Sequence, residues 1–311
     1  MTTAEPPGDR VIEASALTKR FNASVLAVDA LSFTVDAGQV CGMLGPNGAG
    51  KTTTLRMLVG LVHPTSGSAR LLGDPVRPGV AALAHVGTLI EGAAFVPHLH
   101  GLTNLRLWWE SGGARWEDAN AKEALGVAGL GDAVHRKVKT YSHGMKQRLG
   151  IARALLGKPR ALILDEPTTG LDPQEIREVR RLVGRLADLG VTVLLSSHQL
   201  SEVEQTCTHL VVMDRGRLVA AGRTADLMGA ADASVYFEVD DRDAAARLLA
   251  SFPGVAKVHR EVRGLTVDLD TAKRADLVAA LVGAGIGVET VTARRRLEDA
   301  FLGLVGEEHT R

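Results

Sequence analysis

The chain has 311 residues, enough for about two domains with sizeable cores. Its 36 Lys and Arg offset 36 Asp and Glu, and aromatics make up only 4%, so neither bulk attraction to nucleic acid nor a base-stacking platform is indicated. The opening MTTAEPPGDR lacks the apolar core of a leader peptide, and no stretch approaches the roughly 20 apolar residues of a membrane helix.

Residues 1–9 are expected to be disordered, because Pro6, Pro7 and Gly8 interrupt any element. Val11–Leu17 and Leu31–Val35 read as antiparallel strands, with Thr18–Phe21 and Val25–Asp29 between them. Val40–Leu44 is an apolar strand that runs into Leu44–Thr54, LGPNGAGKTTT. Gly45, Gly50, Lys51 and Thr52 satisfy G-x-x-x-x-G-K-[ST], a phosphate-binding loop. Glycines let the backbone turn tightly, so that successive N–H groups face phosphate oxygens. Lys51 brings a positive charge to the β- and γ-phosphates, and Thr52 offers a hydroxyl to Mg²⁺. Asn47, Gly48 and Thr53 belong to the same cradle. A helix over Thr53–Leu61 would add the positive end of its dipole. The bland alternative, a glycine-rich turn, is disfavoured by the apolar strand before it and the helix after it.

Ser66–Leu72 and Val86–Ile90 read as strands, with a short helix within Val76–Ala84. From about 92 to 157 the character turns helical. Thr103 is expected to cap a helix to Ser111, and Trp116–Leu125 to form another. Ser142 is expected to cap a long helix through Leu156, stopped by Pro159. Ala161–Leu164 and Val191–Leu195 are continuous apolar runs, as suits parallel strands buried on both faces. Helices follow at Gln174–Leu189 and Ser201–Thr206, then a hairpin about Arg215-Gly216. Alternating strands and helices around a phosphate loop predict an α/β sheet with crossover connections.

After Ala230 the pattern restarts. Strands at Val235–Val239, Val255–Arg260, Leu265–Leu269 and Val288–Val291, with helices at Asp243–Ser251 and Lys273–Ala284, give β-α-β-β-α-β, the ferredoxin-like order. Leu297–Leu304 is expected to close the chain as a helix. The expected domains are therefore 10–230 and 231–311, the second an interaction or regulatory module without an acid, base or metal cluster.

Two features downstream of the loop carry chemistry. Asp165-Glu166 ends a buried strand: one carboxylate there can hold the water shell of Mg²⁺ and the next can orient or deprotonate water. Ser142-His143-Gly144 opens a helix with a hydroxyl, bare N–H groups and a dipole, which makes a second anion site. One nucleotide does not need two such sites from one chain. A second copy would explain it, each nucleotide lying between the phosphate loop of one protomer and Ser142–Gly144 of the other.

With these motifs in this order, residues 10–225 resemble the ATP-binding subunits of ABC transporters. Gly45–Thr52 matches Walker A, Tyr141–Met145 the LSGGQ signature, and Leu162–Glu166 Walker B. Gly170-Leu171-Asp172 resembles the D-loop and Ser196-Ser197-His198 the switch-histidine segment. The resemblance implies a P-loop NTPase core with an antiparallel β subdomain and a helical subdomain. It implies ATP and Mg²⁺ as cofactors, Glu166 and His198 as catalytic residues, and Thr52 with Asp165 at the metal. Phe21 falls where the family places an aromatic on the adenine, and stacking there is favoured over a plain core position because few aromatics are available. Asp172 would contact the other protomer as well as cap its own helix. The implied partners are a second copy and a separate multi-span permease, with the chain peripheral on the cytoplasmic face of the membrane and no nucleic acid bound.

This sequence departs from the family pattern at His143 and Met145 in the signature and at Glu91, where the family carries the Q-loop glutamine. Glu91 is expected to approach the Mg²⁺ and the attacking water. Glu91, the Ser142–Arg148 run and Leu297–Phe301 resemble the ATPases of bacitracin and daunorubicin exporters. Cys41 and Cys207 lack metal or redox spacing and read as reduced and buried, with Cys41 the one candidate for modification. Trp108 and Trp109 suit helix packing or a partner contact, and Arg294-Arg295-Arg296 a solvated face or a contact with anionic headgroups. The rival readings are a soluble ABC-type ATPase acting on a ribosome or nucleic-acid complex, and a P-loop kinase or switch. The single ATPase unit and the absence of sustained heptads disfavour the first; the Ser142–Arg148 run disfavours the second.

Overall fold

The computed structural model describes residues 9–92, 94–229, 234–261 and 263–294. The expected disorder of residues 1–8, the closing helix at Leu297–Leu304, and Arg295 and Arg296 lie outside them. The chain divides into two compact units between Gly222 and Arg223, ahead of the expected boundary after 230.

The first unit opens with two long strands, β1 (Arg10–Arg20) and β2 (Leu26–Asp36), paired antiparallel. The phosphate-loop strand β3 (Val40–Leu44) follows, buried at every position, and leads through the loop into α1 (Lys51–Leu58). β4 (Ser66–Leu71) and the short β5 (Asp74–Pro75) complete a four-stranded antiparallel sheet in the order β2-β1-β4-β5. Then come β6 (Val86–Leu89), the helices α2 (Gly101–Ser111), α3 (Ala121–Ala128) and α4 (His143–Ala154), and the strand β7 (Ala161–Leu164). α5 (Pro173–Asp188), β8 (Thr192–Ser197), α6 (Leu200–Thr206), β9 (His209–Asp214) and β10 (Arg217–Arg223) finish it.

The second sheet has six strands in the order β10-β9-β3-β8-β7-β6, with β9, β3, β8, β7 and β6 running parallel. β7 and β8 are buried at every residue, as their unbroken apolar runs predict. One apolar core spans both sheets, joining Val11, Leu17, Leu31 and Val35 to Met43, Leu194 and Val211, with Leu55 and Leu58 of α1 between them. Parallel β3, β6, β7 and β8 all end toward the same edge. Their carboxyl ends therefore bring together four loops that are far apart in sequence, the usual place for a ligand in an open α/β sheet.

Two sequence expectations for the helical segment fail. Thr103 is not a cap: α2 begins at Gly101, with His100 at the cap position and no side-chain cap. The buried Asn104 side chain does the tethering, accepting from the Val96 N–H and donating to the carbonyls of Val96 and His100. Trp116–Leu125 is not one helix. A 3₁₀ turn at Trp116–Ala119 stops at Asn120, whose φ of 53° is left-handed, and α3 starts afterwards. Asn tolerates that conformation because its short polar side chain replaces lost local bonds.

The second unit contains α7 (Thr224–Gly229), β11 (Ser234–Val239), α8 (Arg242–Ala250), β12 (Val255–Arg260), β13 (Gly264–Leu269), α9 (Arg274–Gly283) and β14 (Val288–Arg294). Its four strands are antiparallel in the order β12-β13-β11-β14. Val235, Phe237, Leu265 and Val267 alternate inward and pack on Leu249 of α8 and Leu277 and Leu281 of α9. No helix of the described residues is long and apolar enough to cross a membrane.

Candidate functional site

The loop after β3 is fixed by backbone before any ligand is considered. Gly50 caps α1 in the left-handed region at φ 96°, and a Cβ there would collide with the Ala27 carbonyl. Only glycine meets both demands. The Gly216 N–H donates to the Ala49 carbonyl at 3.0 Å, and Gly216 O accepts from the Asp29 N–H at 2.9 Å. The loop is thus bonded to the β9–β10 turn, which is itself bonded to β2, and Gly50 lies against the Ala27 carbonyl of β2.

Asn47, Gly48, Gly50, Lys51, Thr52 and Thr53 line a cavity of about 520 Å³ together with Ala27, Glu166, Thr169 and His198. Lys51 is buried, and its Nζ donates to the carbonyls of Gly45 at 2.7 Å and Pro46 at 3.1 Å. Glu166 Oε1 lies 3.3 Å from the same ammonium. Those contacts extend the Lys51 side chain along the loop, where its charge faces the cavity.

Asp165 and Glu166 leave the end of β7 in different directions. Asp165 is buried, and its carboxylate accepts from Thr52 Oγ1 at 2.9 Å and from Ser196 Oγ at 2.7 Å. Ser196 Oγ also accepts from the Glu166 N–H at 2.8 Å. Glu166 has φ 47°, left-handed for a residue with a Cβ, a conformation that costs about 1–2 kcal/mol and that the Ser196 bond helps to hold. Its Oε2 accepts from Thr169 Oγ1 at 2.7 Å and lies 2.6 Å from His198 Nδ1. Burial pushes the Glu166 carboxyl up, but the bonds from Thr169 and His198 and the Lys51 charge outweigh it and hold it below the usual carboxylate range. An ionised carboxylate only accepts, so Nδ1 carries a proton and donates to Glu166; Nε2 can donate to a phosphate oxygen only when it carries a proton as well.

Thr52 Oγ1 and Asp165 together present hard oxygen donors, the set Mg²⁺ prefers. Among the described residues no group of three His, Cys, Asp or Glu could hold a metal alone. That fits Mg²⁺, which binds through one or two protein oxygens, substrate phosphates and water rather than in an all-protein cage.

Ser142, Gly144 and Asp172 form a second cluster apart from this cavity. Ser142 Oγ caps α4 by accepting from the Met145 N–H at 3.1 Å, as its sequence position predicts. Asp172 caps α5 by accepting from the N–H groups of Gln174 and Glu175, each at 2.8 Å. Glu175 bridges the two helices, its Oε1 accepting from Ser142 Oγ and its Oε2 from the Asp172 N–H.

Two predicted residues are elsewhere. Phe21 does not line the cavity: the residue is 53% exposed, with Lys19 Nζ 5.2 Å from the ring centroid. Glu91, at φ 59°, is exposed and pairs with Arg56 of α1, rather than with Thr52 or Asp165. The two tryptophans separate in role. Trp109 packs, donating from Nε1 to the Arg115 carbonyl and closing over Gly157. Trp108 is 47% exposed and stacks on the Arg153 guanidinium at 5.4 Å. Cys41 is buried, which pushes its thiol up to about 12.

The sequence reading missed Ser196 as a partner of Asp165, Thr169, Glu175 and Glu202. Glu202 is a buried carboxylate whose Oε2 accepts from Thr168 Oγ1 at 2.6 Å and Ser197 Oγ at 2.9 Å. It ties the turn after Glu166 to the strand end before His198. Its Oε1 is buried and makes no hydrogen bond. An acidic residue inside an amphipathic helix gives no local sign of such a role.

A family model described as ABC transporter matches residues 28–169. The daunorubicin/doxorubicin resistance ATP-binding protein of Streptomyces peucetius is 37% identical over 314 residues, covering 96% of this chain and 93% of its own. The bacitracin transport ATP-binding protein of Bacillus licheniformis is 36% identical over 300 residues, covering 95% and 97%. A solved ATP-binding subunit of an ABC transporter matches with a TM-score of 0.61 at 27% identity, over 70% of this chain and 92% of that one. A dimeric post-hydrolysis ATP-binding cassette bound to ADP and Pi shares the fold, with a TM-score of 0.60 at 21% identity over 68% and 98%.

Proposed function

This chain belongs to the ATP-binding proteins of ABC transporters, ATPases coupled to transport, and from that membership and its site we propose that two copies close on two ATP molecules to power a separate membrane permease. The observation that carries this reading is the separation of the two anion-binding clusters. Lys51, Thr52 and the loop N–H groups share one cavity with Glu166 and His198. Ser142 and Gly144 lie outside that lining, and in this reading they complete the nucleotide site of the facing copy.

The residues divide the work. The loop and Lys51 hold the β- and γ-phosphates. Thr52 and Asp165 would hold Mg²⁺, which when bound neutralises developing phosphate charge. Glu166, kept ionised, orients and deprotonates the attacking water, and His198, with both ring nitrogens protonated, donates from Nε2 to the γ-phosphate. Phosphoryl transfer needs positioning and charge neutralisation more than covalent help from the protein, and this arrangement suits that demand. Glu91 and its loop would transmit closure to the permease, and Phe21 would stack on adenine once nucleotide is bound.

Export of a drug, antibiotic or similar amphiphile is proposed from the relatives' activities, as is a peripheral place on the membrane. The second unit is assigned to the ferredoxin-like class on its β-α-β-β-α-β order and strand order, with an accessory role.

Mixing two inactive variants tests the composite site. Lys51→Ala and Ser142→Ala should each lose ATPase activity. Their mixture should recover part of it, because a mixed pair contains one site with both residues intact. No recovery at concentrations where the wild type is active would refute the shared site. Isolation of the chain from detergent-solubilised membranes with a multi-span partner would support the permease assignment, and isolation with ribosomes or DNA would overturn it.

A further inference from the structure

At the N-terminus of α4, Ser142 is exposed and Gly144 buried, and a carboxylate of this chain sits on both. Glu175 Oε1 accepts from Ser142 Oγ at 2.8 Å and from the Gly144 N–H at 3.2 Å. The carboxylate lies against the bare face of Gly144, where a Cβ would collide with it. Both donors belong to the cluster assigned above to the facing copy's nucleotide, where they would meet its terminal phosphate. An anion of this chain therefore already occupies that place.

The two oxygens of Glu175 serve different helices. Its Oε2 completes the capping box of α5 by accepting from the Asp172 N–H at 3.4 Å, while Asp172 accepts from the N–H groups of Gln174 and Glu175. The side chain is half-buried, and its Oε1 reaches across to α4 in addition. A carboxylate and a terminal phosphate are both anions that present several acceptor oxygens, and two such groups cannot share one hydroxyl and one N–H at hydrogen-bond distance.

We propose that Glu175 is an internal stand-in for the γ-phosphate, which must turn away before the facing copy's ATP can engage Ser142 and Gly144. The proposal rests on the shared-site reading above. It makes Glu175 a specificity-determining residue. A nucleoside triphosphate brings an anion that replaces the carboxylate, whereas a diphosphate lacks the group that reaches this far and leaves Glu175 in place. Each closing dimer displaces two such carboxylates, one from each copy. Without nucleotide, the same contact satisfies donors that would otherwise need water.

The test is nucleotide-dependent dimerisation of the full chain in a Glu166→Gln background, followed by sedimentation while ATP or ADP is titrated. Glu175→Ala should lower the ATP concentration for half-maximal dimer by about threefold or more. It should also allow ADP to drive some dimer. Glu175→Gln, neutral and of the same size, should fall between it and the parent. An unchanged or higher ATP midpoint in Glu175→Ala, while the parent dimerises normally, would show that the carboxylate only braces α4, and would overturn the proposal. Should Glu175→Ala fail to fold, Glu175→Gln decides the matter by the same midpoint. A parent that shows no ATP-dependent dimer overturns the shared site and this proposal together, and that failure is visible before any change at Glu175.

Discussion

Replacing Glu166 with Gln separates binding from chemistry. Glutamine has nearly the same shape. Its carbonyl can stay toward Lys51 while its amide faces Thr169 Oγ1, which can accept, and His198 Nδ1, which accepts once the ring proton moves to Nε2, so the fold should survive. Two effects then oppose each other. A positioned general base contributes about 10²–10⁴ in rate, which is about 2.7–5.5 kcal/mol of barrier. In the ground state, Glu166 Oε1 sits 3.3 Å from Lys51 Nζ. At an effective dielectric constant of about 20 that attraction is about 5 kcal/mol gross. The side chain of Glu166 is 24% exposed, and Lys51 keeps its bonds to Gly45 O and Pro46 O. Solvent and those partners reduce the net term to about 1 kcal/mol, or about a fivefold gain in ATP affinity. The assay pairs equilibrium titration with a fluorescent ATP analogue and phosphate release at saturating ATP. The expected result is tighter binding with turnover near background. Turnover within tenfold of wild type would remove Glu166 as the base, and weaker ATP binding would refute the competition for Lys51.

Glu202→Ala should lower stability by about 2–3 kcal/mol in urea unfolding, because the buried hydroxyls of Thr168 and Ser197 lose their acceptor; a change below about 0.5 kcal/mol would show that the bridge carries no weight. In the same variant kcat should fall more than ATP affinity, since the bridge positions the turns bearing Glu166 and His198. The pH dependence of Glu166 follows from its depressed folded pKa. Between the folded and unfolded values the unfolded chain binds more protons, so stability rises with pH there. The contribution is complete above the ordinary value of 4.5 and is lost as pH falls through the lower folded value. Urea midpoints of wild type and Glu166→Gln should therefore converge on acidification, and a gap that widens would reverse the sign. Cys41, held near 12, and Cys207, raised by burial and then by Cys41 and Glu202, should resist iodoacetamide at about pH 8 until the chain is unfolded. Rapid alkylation of either in the native state would contradict their burial.

What could be read from sequence alone was what short segments encode by themselves. The phosphate loop is eight consecutive positions whose residue types carry their own chemistry, and Ser142 caps the helix immediately after it. The strands Val40–Leu44 and Ala161–Leu164 were visible because burial on both faces demands an unbroken apolar run. The failures have a common cause. Thr103 has the chemistry of a cap, but the Arg136 carbonyl, which accepts from the Gly101 N–H at 3.2 Å, and the Asn104 amide hold the start of α2 earlier. Asn120 looks like a neutral helix residue until its left-handed φ splits the segment. The contacts of Glu175 with Ser142 and of Glu202 with Thr168 join residues more than 30 positions apart. No local pattern announces such pairs, because the fold, and not the neighbouring sequence, brings them together.

The strap across the phosphate loop has a consequence for how nucleotide energy is used. The loop is bonded to Gly216, which is itself bonded to Asp29, and a Cβ on Gly216 would lie 2.8 Å from the Ala27 carbonyl. A loop held in this way is already ordered, so capturing phosphate need not bear the entropy of fixing backbone torsions, about 1–2 kcal/mol for each residue. Binding free energy that a floppy loop would consume in its own ordering is left available for mechanical work. In a molecular machine that transmits force, the anvil is the part that does not move.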